Sequence, residues 1–413
     1  MNKKEKITKK PKFFRKILEN GMTVVFEKRE GSGVVSVAFA ARHGGVHENE
    51  SEKGISHFIE HMLYKGTRNR TAKQISEDIE KNGGILNGFT EEEITAFWCK
   101  MPSKHIDIAL DVLSDMILNP LFDEKEMNKE RLVIFEEMKM RKDMPSVYVN
   151  DKIQNLLYSG NLSMDLIGTE KSMNSIDRKK IVEKFKKVYG SRNMVLCVVG
   201  DCDFSKLCEF CEKKFKKSLF RIEEPKIVLK NAEKIEKKEG IDQANLVFAY
   251  HTPRATENGS YTAQVLSCLM VGGMSSRLFQ EIREKRNLAY AVKGGYSGGK
   301  RFGYNAIFVG TSTGNVEKIR KLIIEEFEKL KSLGEKELGQ VKEQLVGNSK
   351  ISKEDSQGQM IDLLYNEIWG NAARSYEYEE KISKVKLEDV KKLAKFNGYS
   401  FIALVPEKKE ENE

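Results

Sequence analysis

No stretch of this 413-residue chain approaches the ~18 consecutive apolar residues that a membrane-spanning helix needs. Its basic start, MNKKEKITKKPKFF, leads into no apolar run of the ~7–15 residues found in a secretory signal. Six cysteines are few for this length and suit a reducing compartment rather than a disulfide scaffold. Cys202, Cys208 and Cys211 lie close together, yet no second C-x-x-C or histidine pair completes a four-ligand metal set. The helical spacing of FSKLCEFCEKKF turns Leu207, Phe210 and Cys211 inward as structural residues. A concentrated basic stripe is also missing. The net charge of +9 is spread over lysines mixed with glutamates, a solvated surface rather than a nucleic-acid footprint. The expectation is a cytoplasmic protein without a membrane or nucleic-acid partner.

Two domains of roughly 200 residues each are expected from the length, with 39% apolar residues to fill their cores. In the first, KILENGMTVVFEKREGSGVVSVAFAARHGG reads as two or three strands with a hairpin turn at Asn20-Gly21. GISHFIEHMLYKGT and TAKQISEDIEKNGG read as helices, and ILNGFTEEEITAFWCKMP as a strand. Next come a helix stopping before Pro120 and a long one, DEKEMNKERLVIFEEMKMRKDMPS, with Met127, Leu132, Val133 and Met138 as its apolar positions. The lysine- and glutamate-rich segment 221–240 is the expected linker between domains at 14–220 and 241–409. Beyond it the order repeats: strand ANLVFAYHTP, helix YTAQVLSCLMVGGMSSRLFQEIREK, further strands, helix NVEKIRKLIIEEFEKLKSLG. The pattern indicates an α+β fold of two similar domains, each an antiparallel sheet with helices on one face.

The first of these helices raises the functional question. His57 and His61 fall roughly 40° apart on a helical wheel, and Glu60 about 60° to the other side of His57. All three share one narrow sector. Two satisfied histidines on a core face are a sufficient account of the pair, but an inward glutamate without a partner is costly. A bound Zn²⁺ removes that cost: two imidazoles take two coordination positions, and a glutamate beside a zinc-activated water acts as proton carrier. H-x-x-E-H is the H-E-x-x-H zinc motif reversed, the inverzincin arrangement. A third ligand is needed, and ERLVIFEEM offers Glu130, Glu136 and Glu137. Glu130 and Glu137, seven apart, share a face, whereas Glu136 points about 100° away. Such a pair suits one ligand and one carboxylate holding a histidine N–H.

HFIEHMLYKGT, followed 76 residues after its second histidine by Glu137, resembles the pitrilysin/insulinase family of zinc metallopeptidases, and within it the two-domain processing-peptidase branch. The resemblance runs from about Lys16 to Pro406. It implies that His57, His61 and Glu137 hold one zinc per chain, that Glu60 is the base and that Glu130 supports a ligand. GGILNGFTEEEITAF resembles the family's substrate-pairing edge strand, usually Asn-Ala-x-Thr. Asn87 and Thr90 match it and Gly88 replaces the alanine, leaving more room; the strand segment Asn87, Gly88, Phe89 and Thr90 is thereby expected to pair with an extended peptide. SSRLFQEIREKRNLAYAV resembles the family's Arg-and-Tyr element, which assigns Arg283 and Tyr290 to substrate and scissile carbonyl.

The second half has no H-x-x-E-H, and its lone histidine, His251, reads as structural. ARHGGVHENE resembles the family's Gly-x-Arg-x-Glu turn with His47 in the arginine slot; a second metal on His43 and His47 is the less favoured reading. Family enzymes enclose substrate between four such domains. This chain supplies two, so the resemblance implies a homodimer, with Arg283 and Tyr290 reaching the zinc of the opposing protomer. A heterodimer, and a silent binding or assembly subunit of the same fold, are the alternatives. Unfolded peptides are the expected substrates, and Glu91, Glu92 and Glu93 beside the edge strand suggest basic ones.

Overall fold

The computed structural model describes residues 12–407. The first half runs β1 (Lys12–Ile17), β2 (Thr23–Lys28), β3 (Val34–Ala41), α1 (Ile55–Leu63), α2 (Ala72–Glu80), β4 (Ile85–Thr90) and β5 (Thr95–Pro102). It continues α3 (Ile106–Leu118), α4 (Glu124–Asp143), α5 (Pro145–Leu157), β6 (Tyr158–Ser159), α6 (Glu170–Ser175), α7 (Arg178–Val188), β7 (Met194–Gly200) and α8 (Phe204–Lys214). The second half runs β8 (Val228–Leu229), β9 (Glu233–Lys238), β10 (Ala244–His251), α9 (Gly259–Val271), β11 (Ala289–Gly298), β12 (Gly303–Thr311) and α10 (Val316–Lys329). It closes with α11 (Glu335–Glu354), α12 (Ser356–Ile368), α13 (Tyr378–Ser383), α14 (Leu387–Leu393) and β13 (Ser400–Pro406).

Two large antiparallel-rich sheets result, and β6 pairs with β8 in a small third one. The first has the order β1-β2-β7-β3-β5-β4, the second β11-β12-β10-β13-β9. Each contains one parallel pair, β2 with β7 and β9 with β13. Glu233–Lys238, inside the expected linker, therefore belongs to the second sheet. Its alternating charges suit an exposed sheet edge, where they discourage pairing with other chains. The helix expected over 261–285 is also divided. It stops at Gly272, Gly273 takes a φ of +113° that ends regular helix, and a short π-helical stretch covers Phe279–Glu284.

One face of the first sheet packs on α1 and α3 through Phe39, Phe97, Phe58, Met62 and Leu113. Its other face, with Val25, Ala38, Ala96 and Val195, is covered by Met360, Leu363 and Leu364 of α12, a helix from the second half. The exchange is mutual. Val149, Ile153 and Leu157 of α5 cover Val247, Ala249, Ile402 and Leu404 on the back of the second sheet. This is why β3, β7, β10 and β13 are buried along nearly their whole length instead of alternating. No described helix is long and apolar enough to cross a membrane.

Glu367 near the end of α12 locks this exchange. Its buried carboxylate accepts from Arg15 Nε at 2.7 Å and Arg42 at 2.8 Å, and from the Ala372 N–H at 3.1 Å. Burial by itself would raise its pKa, but the hydrogen bonds and charges of Arg15 and Arg42 outweigh that and hold it below the ordinary carboxylate value. A carboxylate depressed in the folded state stabilises above its unfolded pKa and loses that contribution as pH falls through the folded value. Glu367→Ala leaves two guanidinium groups without their partner. The urea midpoint is expected to fall by the equivalent of about 3 kcal/mol, with the deficit shrinking below about pH 4. An unchanged midpoint at pH 7 would show that the network contributes nothing.

Candidate metal centre

The helix that carries the histidines is held by its own N-terminus. Glu48, fully buried, accepts from the N–H groups of Gly54 (2.8 Å) and Ser56 (2.7 Å), so a carboxylate caps the positive end of α1. Gly54 precedes the helix at φ +92°, and a Cβ there would stand 2.6 Å from the Ile167 carbonyl oxygen. Ile55, Phe58, Ile59, Met62 and Leu63 anchor α1 in the core. Its polar sector is thereby directed at α4, which packs against it.

That packing brings His57, His61 and Glu137 together, with one ligand-type atom from each lying within 4.8 Å of the others. His57 Nε2 and His61 Nε2 are 3.1 Å apart, and Glu137 Oε2 lies 3.5 Å from the first and 3.7 Å from the second. Ligand atoms ~2.0–2.1 Å from a tetrahedral zinc ion stand roughly 3.3 Å from one another, so the three atoms are spaced as a zinc site needs. The protonation states agree. Glu130 Oε1 lies 2.8 Å from His61 Nδ1, which places that ring's proton on Nδ1 and leaves Nε2 a lone pair. Burial and the neighbouring His61 push the pKa of His57 down to about 3, keeping it a neutral imidazole. Lone pairs of two imidazoles and a carboxylate facing one point repel unless a cation sits among them, and this donor set suits zinc.

The surroundings extend the site. Lys65 Nζ binds the second oxygen of Glu130 at 2.6 Å. Burial would raise the pKa of Glu130, but its bonds to His61 and Lys65 outweigh it and hold the group ionised below the ordinary value. Glu60 faces the same region, and its Oε2 accepts from Thr90 Oγ1 at 2.7 Å. Its pKa is raised, mainly by burial. Glu136 is exposed and paired with Lys139 at 2.7 Å, away from the cluster.

β4 is one of the two edges of the first sheet and, among the described residues, pairs with β5 only. Gly88 and Thr90 face α1, whereas Phe89 faces the other way onto Tyr365, ring centroids 6.1 Å apart. Asn87 Oδ1 accepts from the Gly88 N–H at 2.7 Å. The room expected at Gly88 is not empty, since the Tyr64 hydroxyl stands 2.6 Å from where a Cβ would be. Of the acidic trio, Glu92 and Glu93 are buried and Glu91 alone is exposed. Glu93 accepts from the Lys300 N–H at 2.7 Å, and burial pushes Glu92 up to about 7. All three follow β4 directly and line a 730 Å³ cavity between the halves.

Arg283 and Tyr290 are not brought to this cluster within the chain. Arg283 lies over the Phe279 ring at 4.8 Å and Tyr290, on β11, is 51% exposed. Leu132 and Val133, expected on the apolar face of α4, are 63% and 50% exposed. Met127 is inward as expected, with Glu130 and Ile134, and Met138 packs partly buried against the same core; Leu132 and Val133 fall roughly 120–140° from Met127 on the helix and so point away. His43 and His47 stack on each other and bond to Ser56 and the Gly44 N–H; the described residues bring no third ligand to them. Cys202, Cys208 and Cys211 are free thiols. His251 bonds the Lys230 carbonyl oxygen at 2.9 Å. Sequence reasoning missed Glu48, Tyr64 and Lys65. The last two lie four residues after Glu60 and His61, one helical turn on the same face, which was the signal available.

The fold and this donor cluster define a zinc protease-like chain, and it belongs to the insulinase family, peptidase M16. The family model "Insulinase (Peptidase family M16)" matches residues 23–170, and "Peptidase M16 inactive domain" matches 175–345. The uncharacterized zinc protease YmxG of Bacillus subtilis is 31% identical over 91% of this chain and 93% of its own. A similarly described zinc protease of Rickettsia felis is 32% identical over 90% and 92%. Among solved structures, a Helicobacter pylori protease superposes with a TM-score of 0.88 at 22% identity, covering 96% of this chain and all of that one. A chain of Candida albicans complex III2 reaches 0.82 at 16% identity, with 95% of each chain covered.

Removing single donors separates their roles. Glu137→Gln is expected to lower zinc retention against a chelator by at least ~100-fold, and Glu130→Ala by ~10–100-fold. Glu136→Gln should leave it unchanged, and equal losses at 136 and 137 would contradict the geometry.

Proposed function

We propose that this chain is a zinc-dependent endopeptidase that cleaves extended, unfolded peptide segments. The observation that carries the reading is the convergence of His57 Nε2, His61 Nε2 and Glu137 Oε2 beside a buried Glu60 carried on the same helix as both histidines. His57, His61 and Glu137 hold the ion, one per chain. Zinc in this position supplies Lewis acidity, lowering the pKa of water and polarising the scissile carbonyl.

The chain's own residues do the rest. Glu60, raised in pKa by burial, takes the proton from the attacking water and delivers it to the leaving amine. Thr90 fixes its Oε2, and Glu130, steadied by Lys65, fixes the tautomer and ring plane of His61. The free edge of β4 receives the substrate as an added strand, and binding there has Asn87 give up the Gly88 N–H to the substrate backbone. The inactive-domain model matches only 175–345, outside the donor cluster. It agrees with a second half that lacks the motif and does not weaken the site in the first.

The working unit in this reading is a homodimer enclosing a chamber. Tyr290 and Arg283 of one protomer serve the zinc of the other, Tyr290 stabilising the oxyanion. Support comes from their exposure and from Leu132, Val133, Met140 and Met144, which stand exposed along or just beyond α4.

Glu60→Gln is expected to keep its zinc and lose ~10²–10⁴-fold in cleavage of a quenched fluorescent peptide. Zinc in both proteins with no cleavage by wild type would instead favour a silent assembly subunit. Mixing Glu60→Gln with Tyr290→Phe protomers should restore about a quarter of wild-type activity in a symmetric dimer with shared sites. Merely additive residual rates would mean that each chain is self-contained.

A further inference from the structure

Glu60 has two carboxylate oxygens, and only one is accounted for. Oε2 takes the Thr90 hydroxyl, while among the described residues no hydrogen bond reaches Oε1. Close by is a polar atom with the opposite problem. The Tyr64 hydroxyl is buried and has no hydrogen-bond partner among the described residues, a rare state for a buried phenol. Tyr64 stands four residues after Glu60, at the C-terminal cap of α1, and so on the same helix face.

Gly88 connects the two. A Cβ built on it would lie 2.6 Å from the Tyr64 oxygen and 3.3 Å from Glu60 Oε1. Hydroxyl and carboxylate oxygen thus flank a single point, and any side chain at 88 would push the hydroxyl away. The Tyr64 ring needs no such arrangement. It packs on Phe97 with centroids 6.0 Å apart, which a phenylalanine would do equally well. The hydroxyl is the part that packing does not explain.

We propose that Tyr64 is a positioning residue for Glu60: its hydroxyl, admitted because residue 88 has no side chain, donates a hydrogen bond to Oε1 on a small rotation of the carboxylate. Thr90 and Tyr64 then hold the two oxygens from opposite sides, and the carboxylate keeps one orientation as it receives and releases its proton. The proposal rests on Glu60 being the base.

Tyr64→Phe removes only the hydroxyl. The expected result is a fall in kcat of about ten-fold or more, KM within about two-fold of wild type, and unchanged zinc content. In the Glu60→Gln background the same change should cost nothing further. Gly88→Ala should lower kcat more with Tyr64 present than in the Tyr64→Phe background. The 2.9 Å approach of the added methyl to the Ala96 carbonyl is common to both and cancels. A kcat within about two-fold of wild type, or a fall that follows zinc loss, overturns the proposal while the peptidase reading stands. If wild type cleaves no peptide, the peptidase reading fails instead. Thermal melts of Tyr64→Phe, Glu60→Ala and the double variant then decide whether hydroxyl and carboxylate are bonded, by non-additive or additive shifts in Tm.

Discussion

Two imidazoles and three carboxylates share the interface between α1 and α4, and the rest of the first half is arranged around that fact. Such a set is electrostatically unfavourable unless a cation sits at its centre, because buried lone pairs that face one another have neither water nor donors to relieve them. The protein meets part of the demand itself. Lys65 and the His61 N–H neutralise Glu130, and Thr90 occupies one oxygen of Glu60. What is left unmet, the trio of His57, His61 and Glu137, has the size and chemistry of a zinc site.

Holding that interface still requires the surroundings to be rigid. Glu48 fixes the start of α1, Gly54 lets the chain pass beneath Ile167, and the apolar side of the helix is sunk in the core. The reciprocal covering of each sheet by a helix of the other half goes further, since neither sheet has a complete pair of covered faces without its neighbour. A site on one half thus depends mechanically on the other, even though the other half carries no metal motif.

Much of the site is legible in the sequence. Spacing places His57, Glu60 and His61 in one sector, and a seven-residue interval places Glu130 and Glu137 on one face of α4, because helical periodicity is a local property. The two similar sheets with their helices are legible for the same reason. The apolar assignment of Leu132 and Val133 went the other way. At ~100° per residue Leu132 and Val133 stand roughly 120–140° from Met127 on the helical wheel, so once α4 turns Met127, Glu130 and Ile134 inward those two side chains face outward.

The sequence by itself determined which residues share a helical face and a strand face, since those follow from 3.6-residue and two-residue repeats within single elements. Only the tertiary structure decided what those faces meet. It turned Glu92 and Glu93 inward toward the second half, placed Lys65 on Glu130 and put the Tyr64 hydroxyl into the space that Gly88 leaves. Each is a contact between separate elements, set by how helices and sheets pack and by which buried charges must be satisfied, and no local repeat encodes it.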